Sequence, residues 1–303
     1  MNAIAYQRTV AKPVRCTGIG LHSGKRVSIS ILPAPINHGV KFIRKDLPDS
    51  PSLNAHFNKV VDTSLATVIG YNGFIVSTVE HLLATLSGLS IDNVKIELNS
   101  YEVPVMDGSA RPFAEKIRAA GIIEQSAPRF YFVLRQPIEL TEDGKSVGIY
   151  PSNEFRISYT IDFDHPVIGK QTLSFCITEE TFVHEISPAR TFGFLHEVEY
   201  MKQFGLALGG SLDNAVVVDE DSVLNEDGLR FTDEFVRHKL LDCIGDLSLL
   251  GLPILGHVVA HKSGHGFNHA FLKAFFDQKN AWETVTLTDL ERHGKDPVNS
   301  LAI

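Results

Sequence analysis

The feature that most constrains this chain is a change of period that happens twice. Near the start, Val27, Ile29 and Ile31 alternate with Ser28 and Ser30, the two-residue repeat of a half-buried strand. Val40 to Arg44 is a second candidate strand, and Asn72-Gly73 predicts a hairpin turn within 66–77. The repeat then lengthens. Val79, Leu82, Leu83 and Leu86 share one side of a predicted helix over 77–86. A strand follows with Val94, Ile96 and Leu98 on one face, then a second helix over 110–120 with Ser109 as its cap.

The same order comes again. Strands are predicted at 131–140, 146–150, 154–163 and 171–177, with Glu142-Asp143-Gly144 turning between the first two. A long helix over 232–250 has Thr232 as its cap, Asp233 and Glu234 in its first turn, and Gly251 with Pro253 at its end. A strand at 254–260 and a helix from His265 to Phe276 complete the second run. The polar, proline-containing stretch 124–129 is the natural boundary. The expectation is an α+β fold of two similar α/β-sandwich domains, each a sheet layered on helices. They cover residues 1–126 and 127–303, with an insertion near 193–220 in the second. The halves share an order of elements and almost no sequence.

Composition excludes several classes. A chain of 303 residues is long for one core. A net charge of −8 argues against duplex nucleic acid or a polybasic membrane role. Cys16, Cys176 and Cys243 are odd in number and far apart, so they form neither a disulfide framework nor a paired-cysteine zinc site. Reduced thiols suggest the cytoplasm. The start of the sequence has no charged-then-apolar leader. The most apolar stretch, 247–260, is broken by Gly251, Pro253 and Gly256 and is too short to cross a bilayer. A soluble protein is expected, which would have to meet any lipid-like substrate at a membrane surface or in a pocket.

Four segments carry candidate chemistry. In 238–246, His238, Asp242 and Asp246 are spaced by four, which puts them on one helical face. A His and an Asp so placed can share a metal, or form a simple polar pair. Leu240, Leu241, Ile244 and Leu247 bury this helix, and buried charge needs a partner or an ion. In 77–86, Glu80 and His81 read as a base beside a metal ligand. The plainer reading is a Ser77-x-x-Glu80 capping box with His81 an ordinary first-turn histidine. In 262–270, glycines flank His265 at a helix start, a place for a catalytic acid near neutral pH or a routine turn. Asp246 could orient that imidazole. In 187–194, Thr191 could donate to an oxyanion and Phe192 stack on a sugar; packed aromatics in a loop are the plainer reading. The HExxH spacing of metalloproteases is absent after both His184 and His196.

Taken together, these segments resemble the UDP-3-O-acyl-N-acetylglucosamine deacetylase family of lipid A biosynthesis. The matching stretches are TGIGLHSG (17–24), STVEHLLATLSGLSIDN (77–93), PVMDGSA (104–110), ARTFGF (189–194), LGGSLDNAVVVD (208–219), NEDGLRFTDEFVRHKLLDCIGDL (225–247) and KSGHG (262–266), in order along the chain. The resemblance implies a zinc ion on His81, His238 and Asp242, with Glu80 as general base and His265 as general acid. It implies Asp246 behind His265, and Thr191 as donor to the oxyanion. Lys239 would meet the diphosphate, with Phe192 and Phe194 near sugar and uracil. Lys262 and Gly264 are further candidate substrate contacts. Leu195, Val198, Leu206, Leu208 and Val216 are candidates for an acyl groove. Ferrous iron suits two histidines and a carboxylate as well as zinc does. The sequence departs from some members at Ala66, where they carry a cysteine; this is expected to affect metal inhibition more than chemistry. Two rivals stay open: a metal hydrolase for another amide, and a nucleotide-sugar-binding protein with a closed, structural metal site. Cys243 points about 100° away from Asp242 around the helix and is a poor fourth ligand.

Overall fold

A computed structural model describes residues 4–292. The helices within them are α1 (Glu80–Gly88), α2 (Arg111–Ala120), α3 (Glu179–Thr181), α4 (Leu195–Gln203), α5 (Glu234–Ser248), α6 (His265–Asp277) and α7 (Leu287–Arg292).

The first sheet has five strands, in the order Val14–Ile19, Arg26–Pro33, Val94–Leu98, Val40–Arg44, Ser52–Asn54. Only Val40–Arg44 and Val94–Leu98 run parallel. The second sheet contains the same series: Ile138–Glu142, Lys145–Pro151, Ile254–His261, Phe155–Asp162, Lys170–Cys176. Its parallel pair, Phe155–Asp162 with Ile254–His261, sits at the matching place. Phe130–Leu134 and Trp282–Thr286 extend this sheet beyond the repeat. In each unit the parallel pair is joined by a long connection that carries a helix, α1 in the first and α5 in the second. The repeated order inferred from hydrophobic period is therefore a repeat of topology.

The alternation predicted at Val27, Ile29 and Ile31 is seen as burial on one face, and likewise at Val94, Ile96 and Leu98. Asn72-Gly73 and Asp143-Gly144 both take positive φ, the geometry of tight turns that match strand twist. The strand expected at 131–140 is broken in two, at Arg135 to Pro137. The amides of Arg135 and Gln136 both turn to Ala281 O, and Pro137 has no N–H for a ladder. The expected polar linker is also a strand: Ile122–Pro128 pairs antiparallel with Tyr6–Val10. Its partner lies more than a hundred residues away, so nothing local announces it.

Three predicted caps are corrected. Ser77, Ser109 and Thr232 are not N-caps: Val79, Ala110 and Asp233 stand there, without side-chain capping bonds. Thr78 takes φ 58°, which turns Ser77 away from α1. Asp233 pairs with Arg237 instead, at 2.5 Å.

Helices α5 and α6 pack on the second sheet, α2 packs on Val14–Ile19, and α1 crosses α5. Eight of the nine residues of α1 are buried, so it has no solvent face on which to rest a charge. One continuous hydrophobic core runs through both units, including Leu82, Leu83, Leu240, Leu241 and Ile244. At the crossing the backbones nearly touch. A Cβ on Gly245 would lie 2.2 Å from the Glu80 carbonyl oxygen. This contact sets how close the two helices, and everything they carry, can come.

Candidate metal centre and active site

The helix crossing brings together three groups from distant parts of the chain. One ligating atom each from His81, His238 and Asp242 lies within 4.8 Å of the others, and all three residues are buried. Asp242 Oδ1 is 3.6 Å from His81 Nε2 and 3.4 Å from His238 Nε2. The imidazoles meet edge to face, with centroids 5.0 Å apart. His238 Nδ1 donates to Ala189 O (3.1 Å), which leaves the Nε2 lone pair facing the carboxylate. Burial and the neighbouring His81 and Lys239 outweigh Asp242 and lower the His238 pKa to about 4, so it is neutral and able to ligate. Asp242 is held well below the usual carboxylate range: burial opposes ionisation, but His238 and Lys239 prevail.

These residues fit a divalent cation. Asp242 Oδ1 is buried and accepts no hydrogen bond, a costly state for a carboxylate oxygen unless a cation takes it up. Two imidazoles and one carboxylate are the donor set of open, catalytic sites. Among the described residues this is the one such cluster, and no fourth protein ligand joins it. Cys243 is buried and free, its thiol pushed up by burial.

Two further titratable groups flank the triad. Glu80 begins α1, where its Oε2 accepts from the Thr67 amide (3.1 Å). Burial raises its pKa, against the pull of His265 and His81. His265 begins α6, with Nε2 at 3.9 Å from both Glu80 Oε1 and Asp242 Oδ2. Its Nδ1 meets Asp246 Oδ2 at 2.9 Å. A helix N-terminus alone would disfavour the charged imidazole, the basis for expecting a catalytic acid near neutral pH at this helix start. The structure shows the reverse: burial opposes the charge, but Asp246, Asp242 and Glu80 overcome it and raise the pKa to about 9. Three nearby carboxylates outweigh half a helix dipole charge.

Asp246 is held from three sides: Thr67 Oγ1 donates to Oδ1 (2.5 Å), while Asn268 Nδ2 (2.8 Å) and His265 share Oδ2. Thr67 and Asn268 were not singled out from the sequence. Only the assembled fold brings them to Asp246.

The remaining candidates spread outward. Lys239 Nζ donates to Asp242 Oδ2 (2.7 Å) and keeps two further protons. Phe192 lies edge-on to His238 and Phe235, at 6.3 and 5.0 Å. Thr191 is pinned by its backbone to Gly108 O and Val216 N, both at 2.8 Å, next to the segment that buttresses His238. Phe194 packs farther out, against Phe163, His165 and His196. Gly264 is extended, and a Cβ there would meet nothing within 4 Å, so open space adjoins His265. Lys262 pairs with Asp162 (2.8 Å), both side chains well exposed and outside the buried cluster. The insertion folds as strand, α4, strand, with Phe192–Phe194 parallel to Val216–Val218. Val216 is fully buried and belongs to the core, which removes it from a groove. Leu206 and Leu208 are exposed, as are Tyr200 and Phe204 beside them.

Fold and site together define a class: a two-unit α+β protein that assembles a His–His–Asp triad where its inner helices cross, with a buried glutamate and a histidine beside it. The chain belongs to the UDP-3-O-acyl N-acetylglycosamine deacetylase family, whose profile matches residues 7–277. It is 51% identical over 288 residues to a UDP-3-O-acyl-N-acetylglucosamine deacetylase of Myxococcus xanthus, covering 95% of this chain and 92% of that protein. It is 50% identical over 289 residues to the protein of that name from Syntrophotalea carbinolica (95% and 94% covered). For Saccharophagus degradans the identity is 49% over 287 residues (94% and 95% covered).

Proposed function

We propose that this chain is a metal-dependent deacetylase that hydrolyses the N-acetyl group of UDP-3-O-(3-hydroxyacyl)-N-acetylglucosamine, releasing acetate and the free amine in lipid A biosynthesis. The observation that carries this reading is the orphaned Asp242 Oδ1 between two histidines, with Glu80 and His265 poised on either side. Family membership supplies the substrate.

His81, His238 and Asp242 would hold the ion, zinc or ferrous iron. Such an ion acidifies water and polarises a carbonyl when bound. Glu80, deprived of water and raised in basicity, takes the proton of the attacking water. His265 enters charged and delivers its Nε2 proton to the departing amine, because an amide nitrogen leaves poorly as an anion. Asp246 holds His265 through Nδ1 and stabilises the imidazolium. Thr191 donates to the oxyanion. Lys239 uses its free protons on the diphosphate, Phe192 and Phe194 pack near sugar and uracil, and Lys262 and Gly264 line the approach. Leu195, Val198, Leu206 and Leu208 of the 193–220 insertion take the acyl chain. The same reading keeps two units, 1–126 and 127–303: Ile122–Pro128 pairs back into the first, and Phe130–Leu134 enters the second sheet. It makes the protein a cytoplasmic monomer that meets its lipid-like substrate at the membrane face; no described helix is long and apolar enough to cross a membrane.

The test is metal content and acetate release from the UDP-sugar, measured before and after chelation. One bound ion per chain and loss of turnover on its removal are expected. Full activity in metal-free protein would overturn the reading.

A further inference from the structure

Thr67 occupies a position that neither the sequence nor the proposed chemistry accounts for. It is 2% exposed and stands in the segment between two strands of the first unit, Val60–Asp62 and Val68–Tyr71. Each of its polar groups is engaged. Its amide donates to Glu80 Oε2 (3.1 Å), and its carbonyl accepts from Val79 N (3.3 Å) just before α1. Its hydroxyl donates to Asp246 Oδ1 (2.5 Å) on α5. A hydroxyl has one proton and two lone pairs. With the proton on Asp246, a lone pair is left toward His265 Nδ1, which lies 3.3 Å away. One side chain therefore reaches the carboxylate, and the carboxylate's imidazole partner, from the opposite unit.

We infer that Thr67 is a positioning residue: it locks the Glu80 carboxylate and the Asp246–His265 pair into one rigid assembly across the helix crossing, and fixes the His265 tautomer with its proton on Nδ1. This rests on the function proposed above. Two features separate it from an incidental buried hydrogen bond. The amide and hydroxyl of the same residue serve the two groups that must exchange protons with one reacting centre. The hydroxyl oxygen also lies within reach of Nδ1, so an imidazole carrying its proton on Nε2 alone would set its one Nδ1 lone pair against oxygen lone pairs of both Asp246 and Thr67. Asn268 supports Asp246 from α6 but makes no contact to Glu80, so it cannot tie base to acid.

Thr67→Val keeps the amide and shape but removes the hydroxyl; Thr67→Ser keeps both polar groups. The valine variant should bind metal normally and hold its KM. Its kcat should fall about 10- to 100-fold, the usual effect of removing a partner behind an active-site group. Serine should restore most of that loss. In an Asp246→Asn background the valine substitution should cost little more, because the two act on one imidazole. Nitrogen-15 NMR of His265 gives a readout independent of turnover. The wild type should show the Nδ1–H form once the ring is neutral, and the valine variant a mixture with Nε2–H. Thr67→Ala serves for both measurements if valine does not fold. Wild-type kcat in the valine variant, an equal loss with serine, full additivity with Asp246→Asn, or an unchanged NMR tautomer would each overturn the inference. Failure of the wild-type holoenzyme to release acetate would instead overturn the proposed function, leaving the tautomer measurement to judge Thr67 alone.

Discussion

Gly245→Ala puts the geometry of the helix crossing to the test. The new Cβ would sit 2.2 Å from the Glu80 carbonyl oxygen and 2.9 Å from Glu80 Cα. All the clashing atoms are backbone, so no side chain can swing aside. To reach ordinary contact the helices must part by roughly 1 Å. Ala in place of Gly returns about 1 kcal/mol of helix propensity, against about 1–3 kcal/mol for overpacking. Net stability should therefore fall by only about 0–2 kcal/mol, and the protein should fold. Function should suffer far more. His81 rides on α1 while His238 and Asp242 ride on α5, so parting the helices spreads the triad directly. A misplacement of about 1 Å in an active site costs on the order of 100-fold. The assay pairs thermal unfolding with metal titration and acetate release. A folded variant with weakened metal binding and turnover down about 100-fold is expected. Wild-type metal affinity and turnover in this variant would refute the claim that the Gly245 contact spaces the site.

Other perturbations act on single groups. Glu80→Gln should keep its metal, since Glu80 is not a ligand, yet lose turnover by about 100-fold or more; metal analysis beside acetate release checks both halves. Adding zinc to metal-free protein should raise the melting temperature, by an amount that grows with free zinc, because ions that bind only the folded state stabilise it; His238→Ala should abolish most of that rise. Glu234 is fully buried; burial opposes its charge, yet Arg190 and the amides of Arg190 and Arg230 hold its pKa below the ordinary 4.5. A depressed carboxylate contributes stability that is full above its unfolded value and is lost as pH falls through the folded value. Resistance to urea should therefore weaken below about pH 4.5, and Glu234→Gln should flatten that dependence. Leu208→Ser, on the exposed rim of the insertion, should raise KM for long-acyl substrates while leaving a short-acyl analogue nearly unaffected.

What could be read in advance depended on range. His238, Asp242 and Asp246 were legible because a helix turns spacing in sequence into direction in space, and the leucines between them signalled burial. His81 and Glu80 were legible only as alternatives. A capping box and a metal ligand beside a base look the same until the backbone at Thr78 is known. Its positive φ removes the capping box, pulling Ser77 off the helix and leaving Glu80 to Thr67. The strand Ile122–Pro128 and the roles of Thr67 and Asn268 were not legible, because each depends on a partner with no neighbour in sequence. Lys239 lay in the same helical pattern as His238 and Asp242, but its bond to Asp242 came from the side-chain reach of an i, i+3 pair.

The crossing of α1 and α5 also has a consequence for the nascent chain. Synthesis is vectorial, and domains tend to form in the order in which they emerge. His81 leaves the ribosome early, on a helix that is buried almost all round and whose partner does not yet exist. Until α5 follows, the side of α1 that α5 covers is open to water or a chaperone, and Glu80 has no helix against its back. The groups that would hold a proton and an ion are then exposed and uncoupled, so a truncated or stalled product displays apolar surface without any hydrolytic activity. Catalysis and the burial of α1 begin with the same event, so the interval between them is one in which quality control can recognise the chain and it can do no chemistry.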